Sequence, residues 1–291
     1  MRKFTEHIKL LLEVAKVSIT MMVAVTTSFG YILASGELSL GFILPTLGVF
    51  FLACGSSAFN NYQERATDAL MVRTKSRPIP SGKLSTGEVI LFGSLLLIAG
   101  SVTLFFSANL ISMLLGWLAA FWYNIVYTPM KKKFVMAVVP GSLIGALPPV
   151  IGWTAAGGEI LNPAALALAA FFFIWQIPHF WLLLMIHGKD YSKAGFPTLT
   201  DVFTTPQLSR ITFIWIVALA ISCLLLPFFN VTSSKVITIF LLLLGSWLVI
   251  KTSSILSDTV ERKGFRKAFI DINLYVLIVI VSLSFEKLFL T

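Results

Sequence analysis

The sequence predicts an all-α integral membrane protein, a nine-transmembrane-helix bundle, and three observations carry that reading. Of its 291 residues 57% are hydrophobic and only 12% are charged, about half the charged fraction of a soluble domain. Mean hydropathy is +0.90, which excludes an ordinary soluble enzyme and a disordered chain alike. Apolar runs close to the roughly 20 residues that a bilayer core requires recur nine times, separated by polar or Gly/Pro-rich segments.

In chain order the predicted spans are residues 14–33, 41–60, 89–105, 110–126, 134–153, 164–186, 211–229, 236–250 and 268–285. The amphipathic tail over residues 1–13 has no small-residue cleavage site after it, so the first span reads as a retained helix rather than a signal. Nine spans place the termini on opposite sides, and the alternation puts 20 of the 22 Lys and Arg on the side of the N-terminus, leaving Lys235 and Lys287 on the other. By the positive-inside rule the N-terminus is cytoplasmic and the C-terminus is outside. The net charge of +9 thus reflects topology, and no nucleic-acid partner is expected. Cys54 and Cys223 stand alone in apolar runs and read as small core residues.

The inner connections after spans two and six are the long ones, and long connections in compact domains tend to be functional. The two spans are four helices apart and run in the same direction, a hint of an internal repeat. At the end of span two, Asn61, Glu64 and Asp68 have i, i+3, i+7 spacing, so a continuing helix would present an amide and two carboxylates on one face. Such hard oxygens suit Mg²⁺ beside a phosphate; a solvated helix end with its acids paired to Arg65 and Arg73 is the plain alternative. Arg73-Thr74-Lys75-Ser76-Arg77-Pro78 follows, and cations clustered beside a metal site form a diphosphate clamp. The loop after span six carries Asp190 between Lys189 and Lys193, with Tyr191 beside it.

Inside the spans, His179 follows Pro178; an imidazole at that depth is costly and suggests either a haem contact or an interior hydrogen bond. His187 near the membrane edge and His7 in the tail are weaker candidates. Tyr123, Asn124 and Tyr127, on the inner half of span four, are favoured for a substrate cavity, where aromatic faces would stabilise a cation. Pro45 in span two and Pro148-Pro149 in span five are expected to interrupt helical bonding and shape a chamber.

Asn61-x-x-Glu64-x-x-x-Asp68 with the Arg/Lys run after it resembles the first acidic motif of the UbiA superfamily of intramembrane prenyltransferases. Three further stretches narrow the resemblance to the protohaem IX farnesyltransferase (haem O synthase) branch: Tyr127-Thr128-Pro129-Met130-Lys131, residues 145–153 from Gly145 to Trp153, and Trp175-Gln176-Ile177-Pro178-His179-Phe180-Trp181 leading to Asp190 and Tyr191. Together they cover about residues 60–200, in order.

The resemblance implies one UbiA-type domain over residues 1–291, a cytoplasmic cap from loops 61–88 and 187–210 over a central cavity, and an enzyme of a bacterial inner membrane. It implies transfer of a farnesyl group from farnesyl diphosphate to a vinyl group of haem b, giving haem O, with Mg²⁺ held by Asn61, Glu64, Asp68 and Asp190. Arg65, Arg73, Lys75, Arg77, Lys131, Lys189 and Lys193 would bind the diphosphate. Tyr123, Asn124, Tyr127, Trp175, Gln176, His179 and Tyr191 would line the substrate cavity. Position 194 is Ala where the wider superfamily often has a second aspartate, which argues against a second ion held wholly by protein and gives Lys193 a share of the phosphate charge. Haem A synthase or a terminal oxidase assembly would receive the product. The alternatives are a sibling prenyltransferase acting on an aromatic or quinone precursor, and a secondary transporter, which also has repeats and interrupted helices.

Overall fold

The computed structural model describes residues 2–257 and 261–290, and its helices are long where the sequence is apolar. An amphipathic helix α1 (Arg2–Val14) precedes nine helices long and apolar enough to span a bilayer among the described residues. These are α2 (Val17–Ser35), α3 (Ile43–Asp68), α4 (Thr86–Ser107), α5 (Leu110–Phe121), α6 (Leu143–Ala155), α7 (Pro163–Lys193), α8 (Thr205–Cys223), α9 (Lys235–Thr252) and α10 (Arg262–Phe289). α5 continues through a π-helical stretch, Trp122–Tyr127, and one further turn, Thr128–Met130. Among the described residues there is no strand.

The helix starts follow local chemistry. Ser85 and Glu88 close a capping box on α4, Thr204 and Gln207 close one on α8, and Asn109, Asn162 and Ser234 each accept a backbone N–H at the heads of α5, α7 and α9. Pro45 falls in the first turn of α3, where its missing N–H has no intrahelical partner to lose, so it does not interrupt the helix as expected. Pro148 and Pro149 lie inside α6 without ending it, and Pro178 lies inside α7.

Helices α2 to α5 pack in sequence order, α6 packs on α2 and α5, and α7 packs against α6, α8 and α10, while α10 also closes onto α2. Small residues set the closest approaches. A methyl on Gly152 would lie on the Thr27 carbonyl and 2.8 Å from the Tyr31 N, and one on Gly30 would lie on the Pro149 carbonyl, so α2 and α6 touch backbone to backbone. The motif around Pro148, Pro149 and Gly152 is therefore a packing surface. The larger core gathers on Leu168, Phe171, Phe172, Ile272 and Tyr275, whereas Leu91, Leu95, Ile98 and Phe106 of α4 remain exposed, as lipid-facing side chains would.

The two elements that carry the acidic segments run past their predicted ends. The apolar runs stop at residues 60 and 186, but α3 reaches Asp68 and α7 reaches Lys193. A helix already nucleated in the bilayer extends at little cost through polar residues, so the acidic segments sit on rigid helix rather than in loops. The fifth span starts later than residue 134, at Val138, and the short segment Val138–Gly141 leads into α6 to complete it.

Candidate active site

The extension of α3 puts Asn61, Glu64 and Asp68 on one buried face at the basic end of the bundle. Asp68 accepts a 2.7 Å hydrogen bond from Arg77 Nη1 on Oδ2, while its Oδ1 is buried with no hydrogen-bond partner among the described residues. Glu64 Oε1 pairs with Lys131 Nζ at 2.5 Å. Asn61 spends both amide protons on the backbone carbonyls of Val14 and Ser57, which leaves Oδ1 as an acceptor with no partner among the described residues. Thr74 is fully buried and donates to the Asp68 carbonyl, folding the following loop so that Arg77 reaches back.

Two residues at this site escape a reading based on periodicity. Lys16 was counted only among the cations that set topology. It stands at the corner between α1 and α2 in the left-handed region, φ 50°, and donates to Asn60 Oδ1 at 2.8 Å. A non-glycine residue held there is uncommon and costs of order 1 kcal/mol or more, so the surrounding contacts must impose it. Asn60 in turn donates to Thr128 Oγ1 at 3.0 Å, and Thr128 donates to the Tyr123 carbonyl inside the π-helical stretch. Asn60 thereby joins the α1–α2 corner, α3 and α5.

The electrostatics favour an anion. Burial first, then the Arg77 and Lys131 cations, press the Lys16 ammonium down to a pKa of about 7, against the pull of Glu64 and Asp68. Burial also opposes the Lys131 charge, but the Glu64 carboxylate in contact with it more than offsets this and raises its pKa above the ordinary lysine value. Three cations thus surround two carboxylates, a surplus of positive charge in a poorly solvated place.

Other predicted residues divide. Tyr123 and Tyr127 stack with centroids 6.2 Å apart, and Lys131 Nζ lies 5.4 Å over the Tyr127 ring. Tyr191 meets Phe196 edge to face, and Phe196 packs with Met71 and Ala194, joining the two acidic segments over the site. Ala194 is thus a packing residue, which accounts for the absence of a carboxylate there. Asn124 donates to the Ser56 carbonyl and Gln63 Oε1 while Gln63 donates to the Asn124 carbonyl, an amide latch between α3 and α5. Arg65 turns away, donating to the Tyr62 carbonyl at 2.7 Å with its guanidinium 4.3 Å over the Tyr62 ring. Arg73, Lys75 and Lys193 are exposed, and the Lys189 side chain lies outside the described residues. Gln176 packs against Gly145, and Trp175 and His179 make an edge contact at 5.0 Å.

Among the described residues no three acidic, imidazole or thiol groups converge on a common metal position, so half-buried Asp190 does not join Glu64 and Asp68 in one ligand cluster. The donors that α3 offers are two carboxylates, one with an orphaned buried oxygen, and an amide oxygen. That set fits Mg²⁺, which takes one or two carboxylates and fills its shell with water and phosphate.

Residues 23–276 match the model of the UbiA prenyltransferase family. The chain is 33% identical over 261 residues to the protoheme IX farnesyltransferase of Oleidesulfovibrio alaskensis, covering 90% of this chain and 92% of that one. It is 42% identical over 188 residues to that of Geobacter sulfurreducens, covering 65% and 69%. In fold it is similar to a structure described for digeranylgeranylglyceryl phosphate synthase, with TM-score 0.76 and 20% identity over 97% of this chain and 99% of the other. It is also similar to a UbiA homolog from Archaeoglobus fulgidus bound to GPP and Mg²⁺, with TM-score 0.66 and 17% identity over 94% and 99%. With nine apolar helices, a buried acid-and-cation face and a family match over most of its length, the chain is an integral membrane protein of the UbiA prenyltransferase family.

Proposed function

We propose that the chain transfers a farnesyl group from farnesyl diphosphate to a vinyl group of haem b, giving haem O. The observation that carries this is the buried face of Asn61, Glu64 and Asp68 ringed by Lys16, Arg77 and Lys131, in a chain 33% identical over 90% of its length to a protoheme IX farnesyltransferase. Family membership removes the transporter reading, and the farnesyltransferase relatives favour haem over an aromatic or quinone precursor.

In this reading Asn61, Glu64 and Asp68 would hold Mg²⁺, and Asp190 of α7 stands outside that ligand cluster. When bound, the ion neutralises diphosphate oxygens and so eases departure of the leaving group. Lys131, Arg77 and Lys16 take the remaining negative charge, and being held in place beforehand they need no reorganisation as the charge develops. The allylic C–O bond breaks with its electron pair leaving on the diphosphate. The stacked Tyr123 and Tyr127 present π-faces to the allylic cation, and the cap contact of Met71, Ala194 and Phe196 keeps bulk water from it. The terminal vinyl carbon then bonds to the farnesyl carbon, and water captures the resulting cation and loses a proton. The Trp175, Gln176, His179 and Tyr191 side lines the acceptor. The motif-bearing end faces the cytoplasm of a bacterial inner membrane, and the product passes to haem A synthase or a terminal oxidase.

Purified protein should release diphosphate only when farnesyl diphosphate, Mg²⁺ and haem b are all present. Release with p-hydroxybenzoate in place of haem would move the chain to a sibling prenyltransferase; release with neither would contradict the mechanism.

Lys16 supplies a pH signature. Bound diphosphate favours its ammonium, so binding takes up a proton above pH 7, and affinity for a non-ionising farnesyl thiodiphosphate should fall with rising pH by up to about tenfold per unit. Lys16→Met should bind more weakly at pH 6 and show a flatter profile from pH 7 to 9. In the ligand-free protein the folded pKa is depressed, so the cost of burying the charge is full below about 7 and relieved above it. The same substitution should therefore stabilise the fold more at pH 6 than at pH 9.

A further inference from the structure

Between α7 and α10 at the basic end lies a groove of about 580 Å³, lined by Leu183, Ile186 and His187 on one side and Arg262, Lys263, Arg266 and Phe269 on the other. On α10, Arg262, Arg266, Phe269 and Asn273 fall at offsets of four, seven and eleven residues, one stripe about 16 Å long. On α7 the facing stripe runs from Trp175 through His179 and Leu183 to Asp190, so the groove shares its face with the second acidic segment. The groove therefore opens at the basic end of α7, the helix that carries Asp190.

Its two ends differ in chemistry. At the rim, Arg262, Lys263 and Arg266 are exposed and make no ion pair among the described residues. Behind Phe269, which lines the groove, the His179 ring lies 4.7 Å from the Phe269 ring, and one turn further along α7 Trp175 Nε1 is buried with no hydrogen-bond partner among the described residues. His179 Nδ1 lies 3.0 Å from Asn273 Oδ1, and Asn273 Nδ2 donates to the Phe269 carbonyl. That second bond fixes the amide, so Nδ1 carries the imidazole proton and Nε2 keeps a lone pair.

An apolar slot with three exposed cations at its mouth, in no ion pair among the described residues, matches a flat hydrophobic molecule with two carboxylates on one edge. We propose that this groove docks the acceptor, with Arg262, Lys263 and Arg266 clamping the two propionates of haem. The inference rests on the haem reading of the preceding section and adds the acceptor's orientation. The propionates and vinyls of haem b lie on opposite edges, so a clamp at the rim sends the vinyl edge into the bundle toward His179 and Trp175. Leu183, Ile186 and Phe269 cover the ring.

The test uses the full-length protein in nanodiscs of zwitterionic lipid, titrated with haem b and with its dimethyl ester, in which both carboxylates are masked. The wild type should bind haem about tenfold more tightly than the ester, the scale of a few partly exposed charge pairs. The double variant Arg262→Gln/Arg266→Gln should bind the two alike, while its affinity for farnesyl thiodiphosphate, which also reports folding, is unchanged. Arg210→Gln, an exposed charge elsewhere, should behave as wild type. A double variant that still prefers haem over the ester overturns the clamp and leaves haem as acceptor untouched. Loss of a response to added anionic phospholipid, with haem preference intact, would assign the groove to a lipid headgroup and also overturn it. A wild type that binds no haem at all sinks both the clamp and the haem reading.

Discussion

Asp68→Asn is expected to lower the rate of farnesyl transfer by about 10²-fold or more and to raise the Mg²⁺ concentration needed for half-maximal rate. Asp68 is 1% exposed, its Oδ2 is engaged by Arg77, and its Oδ1 has no hydrogen-bond partner among the described residues. The amide keeps the shape but removes the charge that would hold a cation and leaves Arg77 without a counter-ion. Glu64→Gln should behave alike through Lys131. Arg65→Gln, one residue away in sequence, should stay within about twofold of wild type, because its guanidinium is turned onto Tyr62. Single-turnover rates with saturating haem at varied Mg²⁺ separate these outcomes. An Asp68→Asn protein of normal rate and metal dependence would remove the acidic face from the chemistry.

The second large effect is on the fold. Gly152→Val places a branched side chain against the Thr27 carbonyl and the Tyr31 backbone of α2, and backbone cannot rotate away as a side-chain tip can. The helices must part, at a cost of about 3 kcal/mol or more, which corresponds to a thermal shift of roughly 6–12 °C for a chain of this size. Gly87→Ala is the matched control, since nothing lies within 4 Å of a methyl there. Thermal scans monitored by size-exclusion chromatography should show the Gly152 variant aggregating early and the Gly87 variant unchanged. Equal stability of the two would mean that α2 and α6 do not meet as closely as described.

The nine spans and the first acidic face were legible because both are periodic: apolar runs of bilayer length, and acids at i+3 and i+7 on a helix. The ends of α3 and α7 were not legible from hydropathy, which falls at residues 60 and 186 while helical bonding continues to Asp68 and Lys193. Lys16 and Asn60 were missed for another reason. Their bond joins residues 44 apart, and a lysine at the head of a first span looks like any topology-setting charge. The pairing of the Asn124 Nδ2 with Gln63 and Ser56 is tertiary, and spacing along one helix cannot reveal it. Arg65 was grouped with the clamp because it is near in sequence, whereas one residue on a helix turns a side chain by about 100°. The cations gathered at the acidic face come instead from three separate segments, through Lys16, Arg77 and Lys131.

The most direct test of the account is mass analysis of haem recovered after the purified protein has been incubated with haem b, farnesyl diphosphate and Mg²⁺. The account predicts haem carrying one hydroxyethylfarnesyl group, formed by the wild type and nearly absent with Asp68→Asn. Unmodified haem, with an aromatic acid prenylated in its place in a parallel reaction, would contradict it.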